Sequence, residues 1–425
     1  MATTKSVEAS SGGVIGWYGE LQPGERRTFW ACFGGWALDA MDVQIYAFVI
    51  PTLVATWKIS NTQAGQLATV ALLLSAFGGW FAGMLSDRFG RVRTLQITIV
   101  WFALFTFLSG FAQNFEQLFV CRALMGLGFG GEWAAGAVLM GEMIRAEHRG
   151  KAVGTVQSGW AVGWGMAALL YALYFSIFTP EIAWRALFIT GLAPALLVFY
   201  VRKYVDEPEV YKAAKRAQAK SGTHISWTEI FKGPVLKTTV LCSLLATGAQ
   251  GGYYAITTWL PTFLRTERKL TVLGTSGYLA VIIIGSLIGY WVSAYLSDRI
   301  GRRNNFVLFA VGSVVIVLVY TYLPITDTWM LVLGFPLGFF ASGIFSGVGP
   351  FFTELFPTRV RGAGQGFSYN FGRGIGALFP TFVGMLSAKI SLGNAIGLFA
   401  VIAYGLMLAA VALLPETRGR VLTPE

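Results

Sequence analysis

Charge is what this chain has least of. Asp, Glu, Lys and Arg make up 12% of its 425 residues against 55% hydrophobic ones, where a soluble domain carries about 25% charge. So little polar surface excludes a water-soluble globule, and with it a soluble enzyme or a nucleic-acid-binding domain; the expectation is a membrane protein. The formal charge of +11 does not reverse this, because the basic residues lie strung along short loops. Cysteine is scarce too. Cys32, Cys121 and Cys242 each sit inside an apolar run at spacings that suit neither a disulfide framework nor a metal cluster, so they are expected as small buried hydrophobes. The two histidines, His148 and His224, fall in polar loops and leave no imidazole for a proton step inside a membrane. No apolar run carries a metal cluster or a nucleophile with its base, which argues against an enzyme and against any cofactor or metal.

What is present is a series of apolar runs near 20 residues long. Twelve are expected, at about 28–55, 64–86, 94–112, 117–141, 152–176, 184–201, 237–262, 274–296, 305–323, 329–355, 364–388 and 394–415. The first run follows polar sequence and is too long for the apolar core of a signal peptide, so it is expected to remain as the first span. With the N-terminus in the cytoplasm, and with Arg185 and Lys237 at span ends counted with the adjoining loops, 24 of the 32 Lys and Arg fall in cytoplasmic segments, six in external loops and two within spans. That asymmetry fixes the expected orientation, both termini cytoplasmic.

The two halves of the chain repeat each other. "LSDRFGR" at Leu85 to Arg91 returns as "LSDRIGR" at Leu296 to Arg302, and Glu142, Arg149, Gly150 and Gly154 recur as Glu354, Arg361, Gly362 and Gly366. Even the pair Pro208-Glu209 matches Pro415-Glu416. The expected fold is therefore an all-α membrane protein of twelve transmembrane helices in two pseudo-symmetric six-helix bundles. Its segments are a cytoplasmic N-terminus (1–27), an N-terminal bundle (28–201), a cytoplasmic linker (202–236), a C-terminal bundle (237–415) and a tail (416–425).

These residues also carry a resemblance. "GMLSDRFGRVRTL", "CRALMGLGFGGEW" with Arg122, Gly126 and Gly128, and "PETRGRVL" resemble signatures of the major facilitator superfamily, over nearly the whole chain. "LDAMD" at Leu38 to Asp42, "WRALFITGLAP" and "NFGRGIGALFP" resemble its proton-coupled symporters of sialate, monocarboxylates and aromatic acids, with Ala40 where the aromatic acid and sialate carriers usually have Gly. The resemblance implies a gating role for Gly83, Asp87, Arg88, Gly90 and Arg91, repeated at Asp298 and Arg299.

Five ionisable residues fall deep within spans: Asp39, Asp42, Arg122, Glu132 and Arg373. Each charge at bilayer centre costs about 3 kcal/mol on insertion scales, so such residues face a wet cavity or a partner. A guanidinium matches a carboxylate in a planar fork. Arg373, between Gly372 and Gly374, is the first candidate to hold an anion, with a permanent ion pair as the bland reading; Arg122 fits a structural or relay role equally well. Asp42 is favoured for proton coupling, with Glu132 as rival and Asp39 as a second titrating group or a helix-packing hydrogen bonder. Tyr46 shares the face of the two aspartates. Asn370, Gln250, Tyr253, Tyr254, Gln157 and Trp133 complete the substrate-binding candidates, against a packing role for each. "TGAQGGYY" is expected to interrupt the seventh span.

The resulting expectation is a bacterial inner-membrane symporter that imports a small organic anion together with protons by alternating access. Its partners would be that anion, protons and the lipid bilayer, with no nucleic acid, in a monomeric carrier. A proton-coupled sugar or polyol transporter is the nearest rival, and a non-translocating receptor for organic acids is the rival of another class.

Overall fold

The computed structural model describes residues 16–143, 152, 155–206, 227–357 and 360–418, apart from the side chains at 83, 84, 86–88, 91, 132–138, 141, 142, 227, 273, 298, 361 and 362. Among the described residues every regular element is a helix. The twelve spans are, in order, Pro23–Trp57, Asn61–Phe89, Arg91–Ser109, Phe115–Met143, Gly159–Ile177, the pair Pro180–Thr190 and Ala195–Tyr204, then Gly233–Thr266, Val272–Ile300, Arg302–Tyr322, Asp327–Leu355, the pair Arg361–Gly376 and Phe379–Leu386, and Leu392–Leu413.

Among the described residues nine segments are long and apolar enough by themselves to cross a membrane. The fourth, seventh and eleventh spans are not among them. These three carry Arg122, Gln250 and Arg373. Pro380 interrupts the eleventh, because its ring nitrogen offers no donor to the preceding turn.

Glycine fixes how the helices pack. A methyl added at Gly126 would stand 2.1 Å from Ala71 O, and one at Gly78 would stand 2.0 Å from Leu127 O, locking the second span against the fourth. The second half repeats this contact between the eighth and tenth spans: Gly338 faces Ile282 O at 1.8 Å and Gly289 faces Phe339 O at 2.2 Å. Lipid supplies no hydrophobic drive between helices, so close backbone contact through small residues is what holds each half together.

The seventh span departs from expectation. Gly233–Thr266 is one continuous helix through "TGAQGGYY". Its glycines serve packing instead: Gly248 lies against Ala403 O, Gly251 against the Phe379 ring and Gly252 against the Tyr404 ring. Tertiary contact outweighs the weak helix propensity of glycine there.

The "SDRxGR" turns come out alike in both halves. Gly90 and Gly301 take φ of 107° and 96°, a backbone region open to glycine and costly to other residues. In the second half the turn is tied to the chain's tail. Glu416 accepts from the backbone N–H groups of Arg302 at 2.9 Å and Arg303 at 3.0 Å, at the N-terminus of the ninth span. Arg302 in turn holds Glu354 at the end of the tenth span through two hydrogen bonds, of 3.1 and 2.9 Å. Partial burial alone would raise the Glu416 carboxyl; the backbone donors of Arg302, Arg303, Arg418 and Thr417 outweigh it and hold the group below the usual glutamate range.

Candidate functional site

The halves meet along three seams: the first span on the seventh, the second on the eleventh and the fifth on the eighth. At the end away from the chain termini, Asn61 Nδ2 donates to Ser387 Oγ at 3.0 Å. One turn further in, Gly65 leaves room for Pro380 O. Thr69 Oγ1 then donates to Ala377 O at 2.6 Å, at the break in the eleventh span, and lies 2.7 Å from Thr381 Oγ1. Arg265 Nη1 donates to Tyr171 Oη at 3.1 Å on the same side of the protein.

Behind these seams lies a small central cavity of about 10 Å³, room for roughly one water molecule. Val43, Gln44, Tyr46 and Ala47 of the first span line it, opposite Tyr253, Tyr254, Thr257 and Thr258 of the seventh. Ala68, Leu72, Arg122 and Trp160 close the rest. The two main walls are repeats of one another: Val43, Gln44, Ala47 and Pro51 each stand 210 positions before Tyr253, Tyr254, Thr257 and Pro261. The repeat legible in the sequence thus runs through the cavity itself.

Four of the candidates are brought together here: Tyr46, Arg122, Tyr253 and Tyr254. The Arg122 guanidinium is 2% exposed, sits 4.6 Å over the Tyr46 ring, and has no hydrogen-bond partner for Nε and Nη1. Tyr46 is held in place by its hydroxyl, which donates to Ala64 O at 2.6 Å. Gln250 is buried just behind the wall; its Nε2 donates to Tyr369 O at 2.9 Å and its Oε1 accepts from Tyr254 Oη at 3.2 Å.

Arg373 is equally buried but stands off the cavity lining. Its guanidinium lies 5.1 Å over Phe129 of the fourth span and 5.2 Å over Tyr369, and it interacts electrostatically with Tyr254, Tyr369 and Asp39. It therefore reaches from the second half onto the first. Asn370 packs its side chain against Gly79 of the second span, with Nδ2 donating to Gly366 O at 3.0 Å.

The aspartates are both buried, and neither lines the cavity. Asp42 Oδ2 accepts from Thr106 Oγ1 at 2.6 Å on the third span, and Oδ1 faces Gly191 at the break in the sixth. Asp42 nonetheless interacts electrostatically with Arg122, so a charge inside the first bundle is linked to the cavity wall. Gln157 is half-buried in the helical turn just before the fifth span and outside the lining. The side chains of Glu132 and Trp133, and of Gly83, Asp87, Arg88, Arg91 and Asp298 among the gating candidates, lie outside the described residues. Arg299 is exposed and lies 4.6 Å over the Tyr295 ring of its own helix.

Sequence reasoning did not single out Gln44, Trp160, Thr257 and Thr258 as liners. Trp160 Nε1 donates to Tyr253 Oη at 2.7 Å, joining the two halves. The signal that would have found Gln44 and Thr257 is the 210-residue offset, which pairs them with Tyr254 and Ala47.

Residues 32–380 match the sequence model of the Major Facilitator Superfamily. A "Probable 4-methylmuconolactone transporter" of Cupriavidus pinatubonensis is 44% identical, over 96% of this chain and 94% of that protein. A cis,cis-muconate transport protein of Acinetobacter baylyi is 30% identical, over 87% and 89%, and a sialic acid transporter of Escherichia coli 28% identical, over 89% and 91%. Among solved structures, a bacterial homolog of the human lysosomal transporter Spinster superposes with a TM-score of 0.67 at 18% identity, over 92% of this chain and 95% of that one. A match across most of the sequence, joined to twelve helices in two repeated halves, makes this chain a multi-pass membrane transporter that belongs to the Major Facilitator Superfamily.

Proposed function

We propose that the protein is a proton-coupled importer of a small organic anion, working by alternating access in a bacterial inner membrane with both termini in the cytoplasm. The observation that carries this reading is Arg122: a guanidinium 2% exposed, on the cavity wall, with two nitrogens free of hydrogen bonds. A permanently charged planar donor in that position calls for an anionic acceptor, and a carboxylate fits it. Relatives named for muconolactone, muconate and sialic acid transport support the same substrate class. A neutral sugar would give the guanidinium no counter-charge.

Asp42 supplies the coupling. It and a bound carboxylate compete for the positive charge of Arg122. Two anions resist sharing one cation, so substrate binding and protonation of Asp42 favour each other. The loaded site then carries no extra charge through the membrane. Arg373, Tyr254 and Gln250 form the matching polar layer in the second half, and the bundles 28–201 and 237–415, joined by the 202–236 linker, rock about the cavity.

The test is uptake into proteoliposomes of a panel of small organic acids under an imposed pH gradient. Expected are accumulation stimulated by external acid and abolished by a protonophore, and loss of uptake in Arg122→Ala and Arg373→Ala. Accumulation of an uncharged sugar at wild-type speed in both variants would overturn the anion assignment.

A further inference from the structure

The cavity contains many groups able to hydrogen-bond, and most already have partners. Tyr46 donates to Ala64 O. Trp160 and Tyr253 engage each other. Tyr254 donates to Gln250, and Thr257 Oγ1 donates to Tyr253 O at 2.9 Å. Against this background Arg122 and Gln44 stand out. Gln44 is 2% exposed, lines the cavity, and has no partner for Nε2. A carboxamide taken out of water without a partner is left unfavourably desolvated, so a ligand that supplies the missing acceptor recovers that cost on binding.

Apart from the hydroxyl of Thr258, the remaining walls are mostly apolar or aromatic: Val43, Tyr46, Ala47, Leu72, Trp160 and Tyr253. They suit a flat, unsaturated body and offer little to a molecule covered in hydroxyls. We infer that Gln44 is a specificity residue that donates to a second, uncharged acceptor oxygen of the substrate while Arg122 holds its carboxylate. This inference rests on the anion reading above and narrows it to flat unsaturated acids bearing a carbonyl, such as a lactone acid, over polyhydroxylated acids. A site built to hydrogen-bond a substrate discriminates strongly against the analogue that lacks the group, because its own donor is then left buried and unpaired.

The experiment compares initial uptake rates of two shape-matched probes in proteoliposomes. One is a five-membered unsaturated lactone bearing an acetate side chain; the other is cyclopentene acetate, in which one CH2 group replaces the ring oxygen and another replaces the carbonyl. Wild-type protein is expected to favour the lactone acid by roughly tenfold or more, and Gln44→Leu or Gln44→Met to bring the ratio within about threefold. The ratio of two acids is insensitive to how much active protein each preparation contains, so a merely structural effect does not move it. A wild-type ratio at or below one overturns the inference without any variant. An unchanged ratio in whichever of the two variants elutes as a monodisperse species overturns it as well, and both results leave the anion reading standing. Failure of the anion reading itself has a different signature: neither acid is accumulated and a neutral polyol is.

Discussion

The indole N–H of Trp160 and the phenolic oxygen of Tyr253 meet at 2.7 Å, and in doing so join the fifth helix of one half to the seventh helix of the other. Both rings also line the cavity. This bond must break whenever the halves separate there. Trp160→Phe and Tyr253→Phe each remove one side of it, at a net cost of about 1 kcal/mol to the closed arrangement. The double variant is expected to behave like either single one in a cycle of thermal unfolding midpoints measured in detergent. Additive losses would show that the two rings act independently.

Arg122 and Asp42 are expected to fail in different ways. Arg122→Lys keeps the charge but not the planar fork, so the substrate concentration for half-maximal uptake should rise by roughly ten- to a hundredfold, and higher substrate should restore part of the rate. Asp42→Asn removes the titrating group and should abolish concentrative uptake while exchange of substrate across the membrane continues. Exchange and accumulation measured on the same vesicles separate the two. Concentrative uptake retained in Asp42→Asn would assign proton coupling elsewhere.

Asn61 and Ser387 touch across the seam between the second and eleventh spans. A chain carrying Asn61→Cys and Ser387→Cys, with the three native cysteines replaced by serine or alanine, is expected to form a disulfide under mild oxidation. Transport should stop when it forms and return on reduction, because the alternating access proposed above requires this seam to open. Full transport in the cross-linked state would place the moving boundary somewhere else.

Glu416 gives a pH-dependent stability. Its carboxyl is held below the ordinary glutamate range by backbone donors, so its contribution is fully present above the unfolded value of about 4.3 and is lost as pH falls through the lower folded value. Glu416→Gln is expected to lower the thermal midpoint at neutral pH and to flatten its decline over the acid range. The group is exposed, so the effect will be small beside that of Gly130→Ala, where the added carbon would stand 1.6 Å from Ser75 O.

Much of this architecture was legible in the residues. The apolar runs, the doubled "SDRxGR" turn and the basic loops lead to twelve spans in two halves, and the rarity of charge inside a membrane singles out Asp39, Asp42, Arg122, Glu132 and Arg373 as candidates. Helix rotation was not legible. Whether Arg122 or Arg373 faces the cavity depends on how each helix is turned about its axis, and close contacts of glycine with neighbouring backbone fix that. The continuous seventh helix was missed for the same reason: Gly248, Gly251 and Gly252 read locally as weakness, whereas their neighbours Ala403, Phe379 and Tyr404 turn them into contact. The place of Gln44 on the cavity wall was missed because a glutamine two residues past Asp42 draws no notice until the surrounding hydrogen bonds are traced.

The 210-residue correspondence between the cavity walls has one more consequence. A duplicated scaffold would greet a molecule identically from left and right, and cargo could lie in it either way round. Here one copy presents Val43, Gln44 and Ala47 where the other presents Tyr253, Tyr254 and Thr257. If the cavity is the cargo site proposed above, that inequality gives the passenger a head and a tail, so a symmetric machine would deliver an asymmetric molecule in a single orientation.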